Sequence, residues 1–100
     1  MSLESVTETI KQKMQNAHGL SARVKFDFGD EGLILADTTQ SPATVSHEDG
    51  EADVTLKTSL DTFKAILAGT QDPNIAFMMG KLKIQGSMGL AMKLNGILED

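Results

Sequence analysis

The chain has 100 residues, enough for one modest core, with 40% apolar and 23% charged side chains and no cysteine. Nine Lys and Arg against fourteen Asp and Glu leave a net charge of −5, which argues against nucleic acid as a partner, because phosphate binding needs clustered cations. The lack of cysteine excludes disulfides, thiol nucleophiles and thiolate metal sites, and no apolar run reaches the ~20 residues that span a bilayer.

Taken in order, the chain opens on a helix started by Ser2 or Ser5, with Ser5 and Glu8 in capping-box spacing. Leu3, Val6, Ile10, Met14 and Ala17 form its apolar stripe, and Glu8, Lys11, Gln12 and Gln15 face water. His18 falls in the last turn, where the helix dipole favours a cation, and Gly19 ends the helix. Arg23 to Phe28 alternates as a strand, with Val24, Phe26 and Phe28 on one face. Gly29-Asp30-Glu31-Gly32 is a hairpin loop, and Leu33 to Ala36 returns as a strand that is apolar on both faces and so expects cover on both. Gln40-Ser41-Pro42 breaks the pattern, Ala43 to Ser46 is a short strand, and His47 to Glu51 is a polar turn. Ala52 to Thr58 is the fourth strand, with Ala52, Val54 and Leu56 inward.

Thr58 or Ser59 caps the next helix, which has Leu60, Phe63 and Leu67 as its stripe, Ile66 beside it, and Gly69 at its close. Asp72 and Pro73 open a short helix that ends at Gly80. Leu82 and Ile84 then alternate with Lys81, Lys83 and Gln85 as a fifth strand. Gly86 frees a tight turn, and Ser87 caps the last helix. From Met88 to Leu98 that helix is oily on every side and is expected to be covered on every side, by a partner, a second subunit or a ligand. The order helix, four strands, two helices, strand, helix predicts an α+β fold: a five-stranded, mainly antiparallel sheet with helices packed on one face, as a single domain over residues 1–100.

Catalytic chemistry finds little support. His47, Glu48 and Asp49 form the one cluster of His and acids, but neighbours in a turn point different ways and do not make a metal sphere or a proton relay. No Gly-x-Ser-x-Gly elbow and no His-x-x-x-His pair occur. Gly80, Gly86 and Gly89 lack the Gly-Lys-Ser/Thr ending of a phosphate loop. No catalytic residue, metal ligand or cofactor is nominated, and the isolated chain is expected not to be an enzyme. An acid-base role for His47 and Glu48 is the weakest alternative.

The run from Gly80 to Leu94, Gly-Lys-Leu-Lys-Ile-Gln-Gly-Ser-Met-Gly-Leu-Ala-Met-Lys-Leu, closely resembles the signature of the sterol carrier protein 2 family of non-specific lipid-transfer proteins. Asp61-Thr62-Phe63 and Asp72 to Phe77 resemble that family too, and the likeness is strongest over Ala52 to Leu98. It implies a sterol carrier protein-like fold with a hydrophobic tunnel between sheet and helices, bounded in part by the last helix. It also implies loosely selective binding of fatty acid, fatty acyl-CoA, sterol or a similar lipid. Positions matching the family nominate Phe77, Met88, Leu90, Met92 and Leu94 as lipid-binding. The inward faces read above add Val24, Phe26, Leu56, Phe63, Leu67, Leu82 and Ile84. Met78 and Met79 stand where aromatic and polar side chains are common in relatives, and longer relatives continue past the position of Leu98.

The resulting expectation is a small soluble carrier whose partner is a lipid or acyl-chain ligand, with transient membrane contact and a homodimer open to it. The alternative is a non-enzymatic dimerisation or accessory module docking on an enzyme of lipid or quinone metabolism. A polar, acidic start and the lack of a Ser-Lys-Leu-type ending lead to the expectation of a cytoplasmic, bacterial, single-domain member. A dry void of ~300 Å³ would cost about 7 kcal/mol. The unloaded site is therefore expected to be partly collapsed, with Met side chains filling it, or to retain a lipid.

Overall fold

The computed structural model describes residues 3–17, 19–40 and 42–99, the last of these in its backbone only. Ser2, His18 and Ser41, assigned above to a cap, a last turn and a break, lie outside the described residues. Four helices and five strands follow in the expected order: α1 (Leu3–Asn16), β1 (Arg23–Asp27), β2 (Leu33–Asp37), β3 (Thr44–Ser46), β4 (Val54–Thr58), α2 (Leu60–Leu67), α3 (Pro73–Met78), β5 (Leu82–Gly86) and α4 (Met88–Glu99). The five strands make one sheet in the order β3-β2-β1-β4-β5.

The sheet is mixed. The pairs β1–β2, β2–β3 and β4–β5 are antiparallel, whereas β1 and β4 run parallel at its centre. A parallel pair needs a crossover, and the stretch after β3 supplies it. It crosses the outer face of the sheet, where the Asp49 carboxylate meets the Lys25 ammonium at 2.5 Å and Gly50 lies against the Leu35 side chain. Leu35, half-buried, thereby gets the second cover that its strand required.

Asp53 pins the start of the parallel pair. Its backbone N–H donates to the Arg23 carbonyl and its carboxylate accepts from the Arg23 N–H, both at 2.9 Å. Its carbonyl accepts from Ser87 N–H at 3.1 Å. Gly86 packs so closely on this junction that a Cβ there would sit 2.3 Å from the Asp53 carbonyl oxygen, and its φ of +100° is strained for any other residue.

Local chemistry sets the helix ends. The Ser59 hydroxyl accepts from Thr62 N–H, and the Asp72 carboxylate accepts from Asn74 and Ile75 N–H with Pro73 at the first helical position. The Ser87 hydroxyl accepts from Leu90 N–H at 3.3 Å. At α1 the capping-box reading fails, because Ser5 lies inside the helix, which already runs from Leu3.

The core lies between the sheet and the helices. Val6, Ile10 and Met14 of α1 close it from one side, as their spacing predicts. At its centre the Phe63 ring of α2 packs at 5.3 Å centroid separation on both Phe26 and Phe28, tilted by 59° and 52°, a favoured aromatic geometry. In α2, Ile66 is buried and Leu67 only half-buried, which reverses their expected order.

Candidate functional site

The last three elements carry the apolar surface of the molecule. β5 is an edge strand; α3 packs on it, and α4 packs on β4, β5, α1 and α2. Because β5 pairs antiparallel with β4, Leu82 and Ile84 share the inner face with Leu56, and Lys83 faces outward opposite Lys57. Leu82 is buried and Ile84 half-buried beneath the helices.

α4 does not meet the expectation that an all-apolar helix is covered all round. Ala91, Leu94 and Leu98 are buried in the core, and Leu90 and Ile97 pack at its margin. Met88 and Met92 instead stand 50% and 73% exposed. The physical reason is the one-sheet architecture: the sheet covers one face of a helix packed on it, and no further layer lies outside. A Cβ at Gly96 would meet nothing within 4 Å. On α3, Pro73 and Ala76 are buried, while Ile75, Phe77 and Met78 are exposed, and Met79 follows as its exposed C-cap. Among the described residues, the exposed large apolar side chains are Ile75, Phe77, Met78, Met79, Met88 and Met92, all within these three elements or their joins.

The two helices are tied by a polar contact. Asn95 Nδ2 of α4 donates to Asn74 Oδ1 of α3 at 3.4 Å, and Asn95 Oδ1 is buried without a hydrogen-bond partner. Asn95 lies seven residues after Met88 and three after Met92, so the three share one side of α4. Phe77 and Met78 likewise follow Asn74 by three and four residues. The sequence reading did not nominate either asparagine. The available signal was Asn95 itself, a lone amide interrupting an oily helix.

The twelve nominated residues fall into three groups. Val24, Phe26, Leu56, Phe63, Leu82 and Leu94 belong to the buried cluster. Leu67, Ile84 and Leu90 are half-buried against it. Phe77, Met88 and Met92 are exposed. Two open grooves lie elsewhere: one of about 310 Å³ between α1 and α4, lined by Thr9, Gln12, Lys13, Asn16, Ala17 and Ile97, and one of about 410 Å³ between the end of α2 and the start of α3. None of the twelve lines either groove. The expectation that methionines fill the unloaded site is overturned. Met78, Met79, Met88 and Met92 are exposed, and phenylalanine and aliphatic side chains, with Met14, fill the interior.

The candidate catalytic cluster is dispersed. His47 Nε2 is 2.9 Å from the Thr7 hydroxyl of α1, whereas Asp49 pairs with Lys25 across the sheet. Among the described residues, no group of three or more His, Asp or Glu is placed to hold a metal ion, and no helix is long and apolar enough to cross a membrane.

Comparison with known proteins converges on one family. The model of the SCP-2 sterol transfer family matches residues 3–99. Human sterol carrier protein 2 is 39% identical over 70 residues, which are 69% of this chain and 13% of that protein. The chain therefore corresponds to a small part of the longer relatives it matches. Among solved structures, Sterol Carrier Protein 2 Like 2 from Aedes aegypti superposes with a TM-score of 0.77 at 23% identity, over 96% of this chain and 95% of that one. A solution structure of the palmitated mosquito protein gives 0.72 at 22%, over 100% and 96%. The ubiquinone synthesis protein UbiJ-SCP2 gives 0.70 at 11%, over 96% and 87%.

Proposed function

Starting from a chain that belongs to the SCP-2 sterol transfer family, we propose that it is a carrier for a single acyl chain or a similar lipid, held beneath α4. The observation that carries this reading is the two-sidedness of α4. Leu94 and Leu98 are core, Met88 and Met92 are surface, and Leu90 lies between them. An acyl chain sliding along this helix exchanges one apolar neighbour for another, so its passage costs little desolvation.

In this mechanism α4 shifts away from β4 and β5, and the acyl chain takes up the contacts that the inner face of α4, Leu94 included, otherwise makes with the sheet. Gly89 and Gly96 each weaken the helix by about 1 kcal/mol relative to Ala, which lowers the cost of moving it. Each buried methylene returns about 0.8 kcal/mol, so ten give roughly 8 kcal/mol before ordering costs, near micromolar affinity at best. A bilayer offers the lipid the same driving force, so transfer is reversible. The twelve nominated residues act together here: the exposed ones admit the chain, the half-buried ones guide it, and the buried ones receive it. The palmitated mosquito neighbour makes a saturated sixteen-carbon acid the first ligand to test.

Native mass spectrometry of the purified protein with added palmitic acid is expected to show a one-to-one adduct, and Leu90→Asp is expected to abolish it. A wild-type protein that stays unloaded across a micromolar titration overturns the carrier reading. An adduct unchanged in Leu90→Asp moves the site away from α4.

A second reading draws on the same exposed residues: an accessory module that docks on an enzyme of lipid or quinone metabolism. The fold shared with UbiJ-SCP2 and the small share of the longer relatives that this chain matches favour it. A non-catalytic role suits both readings.

A further inference from the structure

The outer face of the sheet is covered over only part of its width. The crossover after β3 lies against Lys25 of β1 and Leu35 of β2. On β4 and β5 the outward positions are Thr55, Lys57, Lys83 and Gln85. Thr55 is half-buried and the other three are exposed. Lys57 and Lys83 stand directly opposite each other in the register, a like-charge pair that works against the sheet. Neither makes an ion pair among the described residues. Asp27, the register partner of Lys57 on β1, accepts from Gly29 N–H at 2.9 Å.

β5 is also an edge of the sheet, and its hydrogen-bonding phase is fixed. Ser87 N–H donates to the Asp53 carbonyl, one step beyond the pair Val54–Gly86. Antiparallel bonding alternates, so Lys83 and Gln85 turn their backbone groups to β4, while Leu82, Ile84 and Gly86 turn theirs to the free edge. Leu82 is buried where α3 runs into β5, with Lys81 N–H donating to the Ala76 carbonyl at 2.9 Å. Gly86 is exposed, and in a glycine that is exposure of the backbone itself. Ile84 and Gly86 have no other backbone partner among the described residues.

From an open stretch of edge with an unopposed pair of lysines beside it, we propose that residues 84–86 accept an extended acidic segment of another protein as a further strand. Its backbone bonds to Ile84 and Gly86. A carboxylate opposite Lys83 faces outward, meets that lysine directly and lies about 10 Å from the Lys57 strand. The residue opposite Ile84 faces inward and is apolar. The proposal deepens the accessory reading above and rests on it for its purpose, and it holds whether or not a lipid is carried.

A second copy of this chain is a poorer occupant. A two-fold pairing of β5 with itself about Ile84 sets Lys83 against the partner's Gln85 and gathers Lys57 and Lys83 of both copies on one face. An acidic strand relieves the repulsion that this pairing doubles. The chain as a whole carries a net charge of −5, so an acidic segment is attracted here and repelled over most of the remaining surface.

The probe is a short blocked peptide of alternating valine and glutamate, titrated into isotope-labelled protein and followed by amide shifts and hydrogen exchange. The Ile84 and Gly86 amides are expected to shift and gain protection, while the protection of Lys83 and Gln85, already bonded to β4, stays unchanged. Lys83→Glu is expected to weaken binding roughly tenfold, from attraction lost and repulsion gained, and Lys57→Gln, farther away, roughly twofold. A valine–lysine peptide is expected to bind Lys83→Glu better than it binds the wild type. Equal binding of both peptides to the wild type overturns the proposal, as does unimpaired binding of a glutamate peptide N-methylated at its valines. Shifts without protection at Ile84 and Gly86 reduce the contact to charge attraction and overturn the added strand. A dimer in sedimentation that already protects both amides gives the edge to a second copy and overturns it too. A glutamate peptide that does not bind overturns the edge but not the accessory reading, which other faces can serve.

Discussion

The two parts of this chain use apolar residues in opposite ways. In residues 3–72 no large apolar side chain is exposed among the described residues: Phe26, Phe28 and Phe63 meet at tilted angles at the centre, and Val6, Ile10 and Met14 are buried in the same core. Charged residues ring this part, and the ion pairs Arg23–Asp37 and Lys25–Asp49 both belong to it. In residues 73–98 the charge thins to three lysines, and six large apolar residues face solvent. The first part keeps its large apolar side chains covered. The second gives up stability it could have gained, which is expected of a surface kept for something that binds.

The largest effect that could break this contrast comes from a pair of truncations. Phe63→Ala removes the ring shared by two aromatic contacts and is expected to cost about 4 kcal/mol. Met92→Ala removes a side chain already 73% exposed and is expected to change stability by less than about 0.5 kcal/mol. Urea denaturation of both variants checks the pair. Equal losses would mean that the methionine surface belongs to the core in solution and that the contrast is unreal.

Gly86 joins the two parts, and its replacement probes the seam. Gly86→Ala places a methyl group against the Asp53 carbonyl at a φ of +100°. The loss is expected to be about 3 kcal/mol, because the clash is with backbone and has no rotamer to escape into. A Gly86→Ala protein as stable as the wild type would show that Asp53 and Ser87 are not held together as described.

The sequence was more informative in the first part than in the second, for a physical reason. Period-two alternation at Val24, Phe26, Val54 and Leu56 marks strands directly; Ser59 and Asp72 announce helix starts through their own hydrogen bonds, and Pro73 through its fixed φ. The parallel pairing of β1 with β4 was not legible. It depends on the crossover over the outer face and on Asp53 reaching Arg23, contacts between residues thirty apart. For α4 the periodic signal fails, because Met, Leu, Ala and Ile occur on every side and no polar stripe marks the wet face. The likeness of Gly80 to Leu94 to a known family located the region. It could not say that Met88 and Met92 would face outward and Leu94 inward, nor that Asn95 would be drawn to Asn74.

The smallest effect sharpens the comparison from the acidic side. The Asp37 carboxyl is held below its ordinary value of 3.8, first by the hydrogen bond from the Thr39 hydroxyl and further by Thr39 N–H and the Arg23 guanidinium, against a counteracting push from burial. A carboxyl whose pKa is lower folded than unfolded contributes stability that is complete above the unfolded value and lost as pH falls through the folded one. Asp37 should therefore steepen the acid limb of the stability curve below pH 3.8 and have no pH-dependent effect near neutrality. Asp37→Asn cannot titrate there. It is expected to lower stability slightly at neutral pH and to flatten the acid limb, as read from melting temperatures taken between about pH 5 and about pH 2. An unaltered acid limb would mean that Thr39 and Arg23 do not hold the carboxylate in solution. The polar frame of the first part would then be as loosely held as the methionine surface of the second.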